Sequence, residues 1–288
     1  MRNYLMIGIL FAWVWLPTAA AESLRVTINL TSSTDTLQRD FAYTLLDAAL
    51  RHSAATNDVI KVERFPVRMT QSRLLRALRE NTIDVAVMAS AYRHENGLFA
   101  IDFPIRKGLL GWRILLTRQE HVAALNKVRT ANQLRQFSTG FGSDWVERPL
   151  MERYFAAVES AADYKSLYQM LANGRFDVLS RSVMEVGAER QEFPNLGIVD
   201  ASQIIVHYPL ADWFYVNAGN PELAQRIKKG LLGLYANGEY ERLFEQFYRQ
   251  RLQRLRLADR HVIELSDPSL NLDAKQTTQP WWFSLSQQ

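Results

Sequence analysis

The sequence predicts an α/β protein made of two lobes that are joined by two extended strands. Stretches of alternating apolar and polar residues are followed repeatedly by stretches with apolar residues at helical spacing, which is typical of β-α-β units. This order of elements begins again in the second half, after a charged segment at residues 118–129. The chain has 288 residues, of which 48% are hydrophobic, and this is enough for one large or two modest cores.

The first half is predicted to start with a strand at residues 24–30 that ends in the polar turn 31–35. The short oxygen side chains of this turn can cap the helix predicted at 37–51, because they satisfy its free amides. A second strand is predicted at 59–65, and the apolar run 83–88 predicts a buried parallel strand.

The second half contains the same alternation of elements. Its predicted elements are a Gly-rich turn at 140–145, helices near 149–157 and 164–171, a strand at 176–179 and a helix at 222–235. The strands 112–117 and 213–216 lead into and out of this half, so they are predicted to form the hinge.

These elements divide the mature chain into a discontinuous first lobe, a second lobe and a C-terminal extension. The predicted ranges are 22–117 with 218–250 for the first lobe, 118–217 for the second lobe and 251–288 for the extension. The Arg-rich stretch 249–260 interleaves with leucines, which predicts the end of an amphipathic helix with a solvated Arg face.

The N-terminus is predicted to be a cleaved signal peptide of residues 1–21. Arg2 is followed by an apolar run and by Ala19-Ala20-Ala21, which are the charged, apolar and cleavage regions of such a peptide. The run is too short to cross a hydrocarbon core of about 30 Å comfortably, although an uncleaved anchor is the alternative. We therefore expect a periplasmic protein with no membrane span after cleavage.

Several functional classes are excluded or disfavoured by composition. The chain has no Cys, which excludes structural zinc-thiolate sites, iron–sulfur clusters and Cys nucleophiles. The five His residues are scattered, and no H-E-x-x-H, G-x-S-x-G or P-loop motif occurs. The small net charge of +4 lacks the clustered basic face that nucleic acid demands. We expect no catalytic residues, no metal, no cofactor and no nucleic-acid partner.

Six short motifs occur in a characteristic order. A helix leads through a turn into an Asp-led strand at residues 78–87, and residues 171–179 repeat this pattern. A small-residue loop with an Arg follows the first copy at 89–93, and Asp102-Phe103-Pro104 comes next. The last two motifs are helical, at 220–227 and 237–244.

In this combination the chain resembles the family 3 extracellular solute-binding proteins, the periplasmic amino-acid-binding type used by ABC importers. The resemblance covers nearly the whole mature chain. It implies the two-lobed, type II periplasmic-binding-protein fold with two hinge strands. The tail with Trp281-Trp282 is similar to a divergent subgroup without an obvious transport partner.

The resemblance implies a ligand site between lobes that close like a hinge. Arg93 matches the first-lobe Arg that holds a ligand carboxylate through two parallel N–H···O bonds, and a surface Arg is the alternative. Ser90, Ala91 and Ser33 lie in loops after strands, where they can offer amides and hydroxyls to a ligand. The serines can equally act only as caps.

The second lobe is expected to contribute the turn Gly142-Ser143 at a helix N-terminus, where amides and the helix dipole favour an anion. Trp145 beside this turn can stack on a ring or a sugar, or belong to the core. Arg181 and Ser182 stand where amino-acid binders usually present an Asp for the ligand ammonium group. Arg181 therefore either faces an acidic ligand or is neutralised by the nearby Glu185.

These residues predict a monomeric, non-enzymatic solute-binding protein that captures a small polar, acidic or amino-acid-like ligand for an ABC importer with an inner-membrane permease. The alternative is a sensing or partner-binding module that presents its closed form to a membrane signalling receptor. A third possibility is a module that keeps the fold without any small ligand.

Overall fold

The structure is a computed structural model that describes residues 23–29, 36–67, 69–266 and 279–285. The predicted signal peptide and Ser33 lie outside the described residues. No helix in the described ranges is both long and apolar enough to cross a lipid bilayer.

The described strands alternate with helices along most of the chain. The strands are β1 (Ser23–Asn29), β2 (Val59–Arg64), β3 (Val85–Ala89), β4 (Leu98–Ile101), β5 (Trp112–Arg118), β6 (Thr139–Gly142), β7 (Val158–Ala161), β8 (Val178–Ser182), β9 (Ile198–Asp200), β10 (Ile204–His207), β11 (Asp212–Asn217) and β12 (His261–Glu264). The helices are α1 (Thr36–His52), α2 (Gln71–Arg79), α3 (Val122–Leu125), α4 (Arg148–Tyr154), α5 (Tyr164–Ala172), α6 (Val186–Glu192), α7 (Pro221–Ala236) and α8 (Glu239–Leu255).

The strands form two sheets, which are the centres of the two lobes. The first sheet has the order β2-β1-β3-β11-β4, and the second has the order β12-β10-β5-β8-β6-β7 with β9 paired to β5. In each sheet parallel strands are joined through helices, as in β1-α1-β2 and β6-α4-β7. The carboxyl ends of these parallel strands carry the loops in which the sequence places the ligand site.

Each lobe has an apolar core on its sheet. In the first lobe Phe41, Leu45 and Ala49 recur at a spacing of four and are fully buried, so α1 packs one face against the sheet and α7. In the second lobe Phe141 and Leu150 are fully buried in a separate cluster.

Two segments, residues 105–111 and 208–211, connect the lobes and run side by side. The Gly111 amide donates to the Leu210 carbonyl at 3.1 Å, and the Tyr208 amide donates to the Gly111 carbonyl at 3.2 Å. A Cβ on Gly111 would lie 1.9 Å from the Tyr208 carbonyl oxygen, so only glycine allows this approach. Two connections are therefore present as predicted, but they lie before the predicted hinge strands 112–117 and 213–216, which belong to the sheets as β5 and β11.

Sheet membership corrects the predicted lobe boundaries. Strand β5, which the boundary at 117 assigns to the first lobe, pairs with β8, β9 and β10 in the second sheet. Strand β11, which the boundary at 217 assigns to the second lobe, pairs with β3 and β4 in the first sheet. Both strands are buried along nearly their whole length, so their apolar sequences do not indicate which sheet they join.

The predicted C-terminal extension also divides differently. Helix α8 continues through Leu255 on the first lobe, and β12 then joins the second sheet beside β10. The described residues 279–285 lie on the first lobe again, where the Phe283 amide donates to the Lys107 carbonyl at 2.8 Å.

Candidate ligand-binding cleft between the lobes

The ends of two central strands face each other across the two lobes. Strand β3 of the first sheet ends at Ala89, and β6 of the second sheet ends at Gly142. The Gln71 amide at the start of α2 donates to Oδ2 of Asp144, which follows β6, at 3.3 Å. Ala89 and Trp145 both pack against the apolar cluster of the second lobe. The structure therefore brings both predicted halves of the site to one cleft.

On the first-lobe side, β3 runs into a 3-10 turn at Ser90–His94 that contains three of the predicted residues. Ser90 is fully buried, and its amide donates to the Ala211 carbonyl at 2.7 Å while its Oγ accepts from the Ala211 amide at 3.1 Å. The polar groups of Ser90 thus join β3 to the connecting segment 208–211. Ala91 is half-buried in the same turn.

Arg93 is half-buried at the end of this turn and lies close to Tyr215 of β11. Burial raises the pKa of the Tyr215 phenol, and the positive charge of Arg93 opposes that rise. The Tyr215 hydroxyl donates to the Ala89 carbonyl at 2.8 Å. Arg93 therefore lies four residues after the end of β3, in the turn that follows this strand.

Tyr92, Asp144 and the buried Glu147 lie near the cleft, and the sequence reasoning did not select them as ligand contacts. The pKa of Tyr92 is raised to about 12, first by burial and then by the charges of Glu147 and Asp144 from the second lobe. This electrostatic influence acts across the cleft, because Tyr92 belongs to the first lobe. A Tyr directly before Arg93 and acids after a Gly-rich turn were the only signals available in the sequence.

The turn after β6 does not present the free anion site that was expected of Gly142 and Ser143. The Ser143 amide donates to the Ala161 carbonyl at 3.0 Å, and α4 begins only at Arg148. The Trp145 ring covers Gly142, since a Cβ there would lie 2.4 Å from ring atoms of Trp145. Trp145 therefore closes the turn and is itself half-buried.

Arg181 is 1% exposed and has acidic partners within the second lobe. Its Nε donates to Oε2 of Glu189 at 2.7 Å, and its Nη2 lies 3.0 Å from Oε2 of Glu185. Its guanidinium lies 4.6 Å from the centre of the Trp145 ring. Burial disfavours the charged form of Arg181 and so lowers its pKa, but the carboxylates of Glu185 and Glu189 together have the larger effect. The pKa of Arg181 is therefore raised above its ordinary value.

The predicted alternative in which Arg181 is neutralised by the chain itself matches these contacts. Glu185 was named in advance, whereas Glu189 lies one helical turn further along α6 on the same face. Ser182 is also buried, and its Oγ donates to the Leu109 carbonyl at 3.0 Å and accepts from the Met184 amide at 3.3 Å. Both residues thus support the second-lobe wall of the cleft.

A buried charged cluster lies beneath this wall. Arg113 is 2% exposed and donates from Nη2 to the Ser180 carbonyl at 2.9 Å. Burial raises the pKa of Glu147, and the charges of Arg113 and Arg181 oppose that rise. The buried hydroxyl of Tyr208 has no hydrogen-bond partner among the residues that the structure describes.

The arrangement offers several groups that can bind a small ligand. Arg93 can hold a carboxylate, the Trp145 ring can cover an apolar part of a ligand, and Asp144 and Glu147 can accept hydrogen bonds. Within the described ranges no three His, Asp or Glu side chains are grouped as metal ligands.

Comparison with solved structures identifies the architecture. An ancestral arginine-binding protein bound to arginine matches with a TM-score of 0.58 and 16% identity, over 78% of this chain and 98% of its own. The substrate-binding protein of an amino acid ABC transporter matches with a TM-score of 0.56 and 12% identity, over 78% of this chain and all of its own. This chain has the two-lobed periplasmic-binding-protein fold.

The ligand-binding core of GluR0, in complex with L-glutamate, shares this periplasmic-binding-protein fold with a TM-score of 0.55 and 13% identity, over 80% of this chain and 99% of its own. No family model matches the sequence, and no curated protein sequence matches it. The predicted fold class is confirmed, and at these identities the likeness extends to the fold alone.

Proposed function

We propose that the protein is a non-enzymatic periplasmic binding module that captures a small polar ligand between its lobes by hinge closure. The observation that carries this proposal is the meeting of two strand ends, with Tyr92 and Arg93 on one side and Asp144 and Glu147 on the other. Ligands of open α/β sheets bind at such strand ends. The periplasmic location depends on the predicted signal peptide.

The charges on the two sides favour an amino-acid-like ligand over a dianion. Arg181 is already paired with Glu185 and Glu189, so its charge is neutralised within the second lobe. Arg93 would hold the ligand carboxylate, and Asp144 with Glu147 would accept hydrogen bonds from a positive or donor group at its other end.

The remaining predicted residues have supporting roles in this proposal. Trp145 would cover the apolar part of the ligand, held by the guanidinium of Arg181 at its ring. Ser90, Ala91, Gly142, Ser143 and Ser182 would shape the two walls, and Ser33, which is outside the described residues, stays a predicted hydroxyl contact. The closed form would then dock on an importer permease, or on a receptor that reads the same closure.

A ligand screen tests capture directly. The mature chain, residues 22–288, is unfolded and refolded to remove carried ligand, then heated with amino acids, dicarboxylates, phosphorylated metabolites and small sugars. A ligand that binds only the native state stabilises it by RT ln(1 + [L]/Kd), so a rise in Tm confined to amino-acid-like compounds is expected.

Arg93→Ala is expected to abolish this rise in Tm and to leave the circular dichroism spectrum unchanged. The matched control is Arg73→Ala, at an exposed position of α2 in the same lobe, and it is expected to keep the full rise in Tm. A rise that survives Arg93→Ala contradicts the assigned carboxylate clamp.

A second candidate function is a partner-binding module that needs no small ligand. It is favoured by the second-lobe wall, where Trp145 covers Gly142 and Arg181 is paired internally. A flat response to every compound of the screen would support this function and overturn capture.

A further inference from the structure

The C-terminal part of the chain connects the lobes again after the two hinge segments have joined them. Helix α8 packs on the first lobe, and β12 lies in the second sheet only six residues after its end. Residues 281–283 then pack on the first lobe and on the hinge segment 105–111. We propose that these residues, 256–265 with 281–283, form a brace that restricts hinge opening in the ligand-free protein.

The second-lobe end of the brace is a complete strand pairing. Strand β12 is parallel to β10, with Val262 opposite Ile205, and the His261 amide donates to the Gln203 carbonyl at 2.8 Å. Ile263 is 2% exposed in the second-lobe core. The Arg260 guanidinium, predicted to lie on a solvated face, is instead buried and donates to Oδ2 of Asp200 at 2.8 Å.

The segment that leads from the first lobe to β12 is short and is attached at both ends. Only residues 256–260 separate α8 from β12, and the Arg260 Nε donates back to the Leu255 carbonyl at 3.0 Å. Arg251 of α8 also donates to the Met184 carbonyl of the second lobe. Because a chain of five residues bound at each end has little slack, this segment resists a rotation of one lobe against the other.

The first-lobe end of the brace is aromatic. Trp281 stacks on Phe103 with ring centres 5.7 Å apart and meets the edge of Tyr235 at 5.4 Å. Trp282 is 9% exposed. Burial of such large aromatic side chains stabilises the attachment.

The aromatic end lies directly on the hinge. Lys107 and Gly108 have φ angles of 54° and 73°, in the left-handed region. The Trp282 ring covers Gly108, where a Cβ would lie 2.1 Å from it, and the Phe283 amide holds the Lys107 carbonyl at 2.8 Å. Hinge motion requires φ and ψ changes in such connecting residues, so the brace holds them in one conformation.

The test measures the distance between the lobes in the ligand-free protein. The chain has no Cys, so Val59→Cys on β2 and Glu159→Cys on β7, both at exposed positions, accept spin labels without a background. The full mature chain is expected to give one narrow distance distribution. Trp281→Ala with Trp282→Ala is expected to broaden it towards longer distances.

Two further variants separate release of the brace from loss of folding. Phe283→Pro removes the amide that donates to the Lys107 carbonyl and is expected to broaden the distance distribution. Phe283→Ala keeps that amide and is the matched control. Leu232→Ala removes an exposed side chain from the groove that Trp281 and Trp282 also line, but keeps both brace residues, and is expected to leave the distances unchanged. Circular dichroism verifies that each variant is folded.

An unchanged distribution in both the Trp double variant and Phe283→Pro would overturn the brace, as would a broad distribution in the unsubstituted chain. The measurement contains no ligand, so its outcome is independent of the ligand screen. A flat screen can coexist with a narrow distribution, and a positive screen with a broad one.

Discussion

Arg181 and Glu189 form a buried ion pair in which both side chains are 1% exposed and the Arg181 Nε lies 2.7 Å from the Glu189 Oε2. The pair sits directly behind Trp145, whose ring the guanidinium faces. Arg181, which the sequence predicts as a possible ligand contact, thus stabilises the cleft wall from within the second lobe.

Loss of Arg181 is expected to destabilise the protein strongly. Arg181→Ala leaves the carboxylates of Glu185 and Glu189 buried without their cation, which costs roughly 3–5 kcal/mol in the free energy of unfolding. Urea unfolding measures this loss. The control is Arg190→Ala, which removes a partly exposed Arg from α6, the helix that carries Glu189. It is expected to lower the free energy of unfolding by less than about 1 kcal/mol. Equal effects of the two substitutions would show that the buried pair is not structural.

Glu147 is expected to make stability fall as pH rises. Burial raises its pKa in the folded protein, so the native state keeps a proton that the unfolded chain releases near the ordinary glutamate pKa. Stability is therefore lost between that ordinary pKa and the raised one. Glu147→Gln is expected to remove this loss and to gain on the order of 1 kcal/mol at pH 8 relative to pH 4.

The control for Glu147 is Glu152→Gln, at an exposed position on α4, the helix that follows Glu147. It is expected to leave the pH dependence of the unfolding free energy unchanged. If Glu147→Gln and the unsubstituted protein lose stability in parallel with rising pH, the titrating group lies elsewhere.

Gly111→Ala is expected to separate the two connecting segments. The new methyl group would lie 1.9 Å from the Tyr208 carbonyl oxygen, and the backbone must move to relieve this clash. We expect a loss of roughly 1–3 kcal/mol in urea unfolding. Gly187→Ala is the control, because no atom lies within 4 Å of a Cβ at that position. A Gly111 variant as stable as the Gly187 variant would contradict the close approach of the segments.

Asp144→Ala is expected to weaken the contact between the lobes. It removes the acceptor of the Gln71 amide and a negative charge at the start of α2, at a cost of about 0.5–1 kcal/mol. The control is Asp163→Ala, which removes the cap of α5 within the second lobe at a cost of about 1 kcal/mol. Only Asp144→Ala is expected to shift the spin-label distance between the lobes, and a shift in both variants would contradict a specific role.

The regular elements follow closely from local patterns. The helices predicted at 164–171 and 222–235 are observed at Tyr164–Ala172 and Pro221–Ala236. The strand predicted at 83–88 is observed at Val85–Ala89. Hydrophobic spacing and capping act within a few residues of the chain, so the sequence displays them directly.

Pairings between distant segments were harder to predict. Strands β10 and β12 were not predicted, and Arg260 was expected in solvent although it pairs with Asp200, which is 60 residues earlier. Each of these contacts depends on a partner that only folding brings close. A short apolar or charged stretch contains no information on that partner.

The sequence by itself determined the α/β class, the order of most elements, the two-lobed architecture and the placement of Arg93 at a strand end. The tertiary structure decided which sheet receives β5 and β11, the pairing of Arg181 with Glu189, and the presence of Glu147 at the cleft. The physical reason is the distance along the chain over which each effect acts. Periodicity and capping are local, whereas the neutralisation of a buried charge depends on groups that approach it from other parts of the chain.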